Sequence, residues 1–288
     1  GGTIPPNHWY PGTNASELAF PHGLATDLNG NLYIGNVDRN GIIRKFNCDG
    51  VITPTGPTTI NNPSHQQNIF SIGNIIYVNS DGGPTAYNSC TGVKIGQLCL
   101  NQSDGDNLWG LSYNKVTEMV YATRRKAGQG KVWVFTRAQL EAGIAANGTI
   151  CIDPILSQLG VSTINLGDSY IPNVTGGAVF GITSDNLGNF YVIQSSIDEG
   201  LIGSGSVVLK YNSAGQFVAM TPISFVPSGS YSFAIGLVWS ESNRLYVSNW
   251  TDDPSTDCIS VFDANTMTYL GAGAPNPGLP SNNLSKAI

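Results

Sequence analysis

The residues able to do chemistry are few and scattered. The 288-residue chain carries only three His and five Cys. No C-x-x-C, G-x-S-x-G, P-loop or H-E-x-x-H pattern occurs, so zinc ribbons, thioredoxin-like exchange, nucleophile elbows and phosphate cradles lack their sequence signatures. Gly203-Ser204-Gly205-Ser206 lies between strand patterns and not before a helix, so it reads as a loop. Asp104-Gly105-Asp106-Asn107 and Asp252-Asp253 with Asp257 are acidic loops. They read as solvated, because neither has the length or the terminal Glu of an EF-hand, and Ca²⁺ is the one ion they could take. No cofactor is expected.

The elements that must position these residues come from a repeat, clearest over Phe20–Gly50. His22–Thr26 reads as a short strand, Asp27–Gly30 as a turn, and Leu32-Tyr33-Ile34 as a second, apolar strand. Asn and Gly accept positive φ cheaply, which favours that turn. Asp38–Gly41 turns again, Ile42–Phe46 is a third strand, and Val51-Ile52-Thr53 opens a fourth. Four antiparallel strands in about 40 residues is the size of one propeller blade.

The pattern returns. The second strand carries Tyr33, Tyr77, Tyr121, Tyr191 and Tyr246, and the third ends on Phe46, Tyr87, Phe135, Tyr211 and Phe262. The first strand carries Gly23, Gly110, Gly181 and Gly236, where backbones converge on a channel and a missing side chain helps. Asp185–Asn189 repeats the turn of Asp27–Asn31. The Tyr anchors lie 44, 44, 70 and 55 residues apart, with 75 between the last and the first round through the termini. Neither long gap reaches two 44-residue spacings. The expected fold is therefore all-β, a single propeller of five four-stranded blades. A sixth blade remains open if one without the Tyr lies between Arg137 and Gly177. Arg137–Ala146 has good helix formers and predicts one short helix, near 138–146, inside that gap. The domain reading is an N-terminal arm over 1–19, a propeller over 20–271 and a C-terminal tail over 272–288.

PHGLATD, GNLYIGN and IIRKFN-CDG resemble an NHL-type repeat and the wider group of gluconolactonase-like and strictosidine-synthase-like propellers. The resemblance covers about 20–270 and implies a fold more than an activity, because function lives in sites and not in folds. In gluconolactonase-like hydrolases a divalent metal sits over the channel on a Glu, Asn and Asp set. Carried over, that implies Asn36, Asp81 and Asn249 as weak metal candidates, but no Glu starts a first strand here. Those three belong to a wider group of rim residues at second-strand ends, with Ser80, Arg124 and Gln194. Five-bladed glycosidases place acids on channel strands. The channel strands here offer Gly, Ala, Leu, Phe and Ile.

Composition points outside the cell. Charged residues are only 11% of the chain, and the net charge of −6 argues against a nucleic-acid or anionic-membrane surface. No apolar run is long enough to span a membrane. Gly1-Gly2-Thr3 reads as a processed or trimmed start and carries no targeting information. Cys48 and Cys90 follow third strands at turn positions. With Cys99, Cys151 and Cys258 they suggest an oxidising compartment, with one or two disulfides and an odd thiol. Glycan acceptors are Asn14, Asn101, Asn147, Asn173, Asn249 and Asn283. Chance alone gives about five at this composition, but all except Asn249 fall in expected loops or tails.

The expected function is a secreted, non-catalytic glycoprotein propeller acting as a structural or interaction module. It would assemble into a chain or filament through its terminal arms, since bare Trp9 and Tyr10 favour docking. Partners would be further copies of itself or other extracellular proteins and glycans. The alternatives are a sugar- or small-molecule-binding propeller using Trp109 and Trp250 at the rim, and a metal-dependent lactonase or esterase.

Overall fold

Asp27 and Asp185 each close a tight hairpin by folding their own turn around the carboxylate. Asp27 Oδ1 accepts from the Asn29 and Asn31 amides at 2.9 and 3.0 Å, and Asn31 Nδ2 donates to Oδ2 at 2.8 Å. Asp185 repeats this with Leu187 and Asn189. Gly30 and Gly188 supply the positive φ, 76° and 82°, that the turn requires. The local sequence thus fixes the register of the strands on either side.

A computed structural model describes residues 21–36, 42–46, 59–61, 68–80, 83–98, 108–124, 131–146, 162–165, 178–195, 206–223, 232–251 and 258–273. These residues form five four-stranded antiparallel sheets, each from consecutive strands. The first blade is β1 (Pro21–Thr26), β2 (Leu32–Asn36), β3 (Ile42–Phe46) and β4 (Thr59–Asn61). The second is β5 (Ile69–Ile72), β6 (Ile75–Ser80), β7 (Gly83–Asn88) and β8 (Lys94–Gln97). The third is β9 (Leu108–Asn114), β10 (Met119–Arg124), β11 (Lys131–Thr136) and β12 (Ser162–Asn165), with helix α1 (Arg137–Ala145) before its last strand. The fourth is β13 (Ala178–Ser184), β14 (Phe190–Ser195), β15 (Ser206–Tyr211) and β16 (Phe217–Ile223). The fifth is β17 (Ser232–Ser240), β18 (Arg244–Thr251), β19 (Cys258–Asp263) and β20 (Tyr269–Gly273).

The fold is the expected all-β propeller, with five blades. Among the described residues, the long gap between Tyr121 and Tyr191 holds α1 and β12 and no sixth sheet. Two boundaries differ from the sequence reading. The strand paired with β3 is Thr59–Asn61, well beyond Val51–Thr53, which lies outside the described residues. Ser162–Asn165, to which the sequence reading assigned no strand, is the outer strand of the third blade.

The core lies between blades. Tyr33 and Ile43 of the first blade pack with Ile69, Ile76 and Tyr87 of the second. Tyr121 and Val132 of the third join Phe190 and Leu209 of the fourth. Helix α1 buries Leu140 and Ile144 in the cluster shared by the second and third blades. Its N-terminus is held by a capping box between Thr136 and Gln139. Gly96 of β8 admits the last turn of α1, because a Cβ there would collide with the Ile144 carbonyl.

The expected role of the first-strand glycines holds at the positions where it can be read. A Cβ on Gly23 would lie 2.7 Å from Ile69 Cγ2 of the next blade, and one on Gly110 would lie 2.7 Å from the Phe180 carbonyl. The inner strands converge too closely there for any side chain.

Candidate functional site

Each first strand carries one branched aliphatic residue at the same register. Leu24 pairs with Ile34, Ile69 with Val78, Leu111 with Ala122, Ile182 with Val192 and Leu237 with Val247. All five line one cavity of about 280 Å³ on the propeller axis, so they form an aliphatic collar around the channel. Phe70, Val238, Ser112, Thr183, Tyr113 and Asn68 complete the wall. Phe70 stacks on Tyr113 with ring centroids 5.7 Å apart. Leu24 and Val238 keep 39% and 43% of their surface open, whereas Leu111, Ile182 and Leu237 are buried in the wall. Among the described residues, no carboxylate, imidazole, thiol or ammonium lines this cavity. Such a wall can exclude water and hold apolar matter. Its own side chains offer no acid–base pair near neutral pH.

Above the collar the first strands of the first, third, fourth and fifth blades bulge, and hydroxyls on second strands take up two of the freed amides. Gly110 N donates to Thr123 Oγ1 at 2.7 Å, and Thr123 Oγ1 donates to the Phe180 carbonyl of the next blade at 2.8 Å. Gly236 N donates to Ser248 Oγ at 2.9 Å. Asn79, fully buried at the equivalent place on β6, donates to the Gly110 carbonyl at 3.3 Å. Asn79, Thr123 and Ser248 all lie two positions past a Tyr anchor. That shared offset is the signal by which sequence reasoning could have found them.

At the opposite end of the second strands, the Tyr anchors tie blade to blade. Tyr33 Oη lies 3.0 Å from Asp27 Oδ2 and 3.3 Å from the Ser89 carbonyl of the next blade. Tyr191 makes the same pair of contacts to Asp185 and to Ala264 O of the fifth blade, at 3.0 and 3.1 Å. Lys45 and Lys210 donate to those same two carbonyls at 3.2 and 2.8 Å. Each ammonium also sits about 5.5 Å from the centroid of its tyrosine ring. In the third blade Asn114 takes the Asp position and donates to the Asp185 carbonyl. Burial pushes Tyr77, Tyr87 and Tyr121 up to about 12. Burial and the Asp partners carry Tyr33 and Tyr191 higher still.

The weak metal candidates are only partly placed. Asn36 ends β2 and Asn249 lies in β18, both three positions past a Tyr anchor and so on one rim. Their side chains, and the whole of Asp81, lie outside the described residues. Among the described residues no group of three His, Cys, Asp or Glu converges. Gln194 keeps the same register, three positions past Tyr191, with 1% of its surface exposed. One rim expectation is corrected. Trp109 is no sugar platform, because its indole is buried edge-on to Phe180 at 5.0 Å. The side chain of Trp250 lies outside the described residues.

Cys90 sits exposed in the turn after β7 with a free thiol. Cys48, Cys99 and Cys151 lie outside the described residues, as does the side chain of Cys258. Of the glycan acceptors, Asn249 pairs with Ala234 and Cys258 in the fifth sheet. Asn14, Asn101, Asn147, Asn173 and Asn283 lie outside the described residues, as do the arm over 1–19 and the tail beyond Gly273.

The outer strands of three blades share one feature. Each bulges opposite the aromatic that ends the third strand, at Tyr87, Tyr211 and Phe262. The extra residues are Ile95, Val218 and Leu270, all about half exposed. Beside them stand exposed Phe217 and Met220 on β16 and Tyr269 on β20.

No family model matches the sequence, and no curated protein matches it. Solved structures match in fold. A chain of the nidogen/laminin complex superposes with a TM-score of 0.57 at 14% identity, over 90% of this chain and 81% of that one. A chain of Kuenenia stuttgartiensis hydrazine synthase gives 0.58 at 10%, over 88% of this chain and 66% of that one. A Bacteroides caccae protein of unknown function gives 0.55 at 10%, over 85% and 73%. These likenesses establish a β-propeller and nothing finer. The resemblance to NHL-type and gluconolactonase-like repeats holds at the level of the fold. No helix among the described residues is long and apolar enough to cross a membrane.

Proposed function

We propose that this propeller is a secreted, non-catalytic glycoprotein that works by protein contact, assembling with further copies of itself through its N-terminal arm. The observation that carries the reading is the apolar outer edge, where Val218, Phe217 and Met220 stand exposed on the seven-residue β16. An unpaired edge strand with exposed apolar side chains is a template for an added strand. The other edges are shorter or covered: β4 has three residues, β12 four, and β8 lies against α1. The nidogen/laminin chain, a propeller in a protein complex, is a parallel of fold that fits the same reading.

Light scattering on the glycosylated chain tests it. A mass of several times 30.4 kDa is expected, together with a loss of mass on N-glycosidase treatment. Removing residues 1–19, or introducing Val218→Asp, should return the protein to single copies with its circular dichroism unchanged. Single copies at every concentration, or assembly that survives both changes, would sink the proposal.

A further inference from the structure

We propose that the aliphatic collar is a binding site for a small, compact apolar molecule, one hydrocarbon body with at most a single hydroxyl or carbonyl group. The site is independent of the assembly proposed above, since it lies on the propeller axis and not on the outer edge.

The first argument is the register. Five separate strands place Leu24, Ile69, Leu111, Ile182 and Leu237 at one level, and all five also meet the same cavity. A channel that only has to stay open can be lined by any soluble residue, and this chain draws its polarity mainly from uncharged side chains, with only 11% charged. The collar is nonetheless aliphatic in every blade.

The second argument is size and wetting. An apolar cavity of about 150 Å³ stays dry and takes up benzene. The channel cavity measures about 280 Å³, which suits a body of about ten to twelve non-hydrogen atoms on the same scale. Ordered water needs two to four polar partners. Among the described residues the wall offers polar side chains at Asn68, Ser112, Tyr113 and Thr183. Asn68 Oδ1 is already engaged by the Ile69 amide at 2.8 Å, and Thr183 Oγ1 by the Trp239 amide at 3.2 Å.

The third argument is exclusion by chemistry. A sugar would bury several hydroxyls against methyl groups, which is unfavourable without partners. A hard cation would find no carboxylate on this wall. A compact hydrocarbon meets neither obstacle. The open faces of Leu24 and Val238 are the surfaces it would cover.

The test uses the full glycosylated chain with borneol and 1-octanol as probes and glucose and Ca²⁺ as controls. Either probe, at a hundred-fold excess over its Kd, should raise the Tm by about 5 °C, and neither control should. Methyl NMR then locates the site. The methyls of Leu111 and Ile182 must shift while those of Ile95 and Leu270 on the outer strands do not. Val238→Trp and Leu24→Trp grow into the open cavity and not into packed core, and a folded variant of either kind should lose the Tm shift. No shift with either probe would overturn the proposal, and so would a shift that reports on the outer strands. A shift that persists in a folded, filled variant would overturn it equally.

Discussion

Tyr33 and Lys45 face each other across β2 and β3 and converge on one acceptor, the Ser89 carbonyl in the next blade. Tyr191 and Lys210 do the same for Ala264. In the other three blades the residue paired with the tyrosine is Ala86, Val134 or Val261, so only two junctions carry this polar latch.

Removing the tyrosine hydroxyls therefore has a local cost. Tyr33→Phe and Tyr191→Phe should each destabilise the fold by about 1–2 kcal/mol, because a buried carboxylate oxygen loses a donor. The two latches share no partner, so the costs should add in the double variant. Urea unfolding measures this, and a double variant no worse than either single would show that the latches are coupled.

Asp27 gives an acid-side signature. Burial pushes its carboxyl up, but the side chain and amide of Asn31, the Tyr33 hydroxyl and the Asn29 amide outweigh this and hold it below the usual value of 3.8. A depressed carboxylate lends stability that is complete above its unfolded pKa and is lost as pH falls through the folded value. Asp27→Asn should thus lower the urea midpoint at about pH 7 and flatten its fall below about pH 4. An unchanged acid slope would remove Asp27 from the account.

Two glycines separate crowding from backbone strain. Gly110→Ala forces a methyl against the Phe180 carbonyl and Thr123 Oγ1, at 2.7 and 2.8 Å, and should cost about 2–4 kcal/mol. Gly73 has φ of +59° with open space around it, so Gly73→Ala should cost only about 1 kcal/mol. Thermal unfolding of the pair decides, and equal losses would refute the convergence of inner strands as the reason for Gly110.

The helix can be loosened from either side. Thr136→Ala removes the cap and should cost about 1 kcal/mol. Gly96→Ala should instead lift α1 off β8, which hydrogen exchange would register as faster exchange of the α1 amides. Slow exchange in that variant would mean that the last turn shifts to make room.

The blades were legible because their signals are local. A Tyr in each second strand, an aromatic closing each third strand and the Asp-x-x-Gly-Asn turn depend on neighbours within one hairpin. Outer strands were harder, since an edge strand pairs on one side only and can be short and polar. Even so, β4 and β12 both read Thr-Ile-Asn, at Thr59–Asn61 and Thr163–Asn165, and that repeat was there to be seen. The collar stayed hidden for a geometric reason. Its residues precede the Tyr anchors by eight to ten positions, because the intervening turns and bulges differ by a residue. Trp109 misled because a large aromatic beside a channel glycine looks like a platform, and only the packing of Phe180 shows otherwise.

Among the described residues each sheet is made of four strands consecutive in the chain, and the first and fifth blades exchange none. A chain emerging from its N-terminus can therefore finish one blade before the next is begun, with contacts of short sequence separation at every step. Closing the ring is the long-range event, and it joins sheets that are already complete. This arrangement predicts that the blades form in the order of synthesis and that the circle is the last thing made.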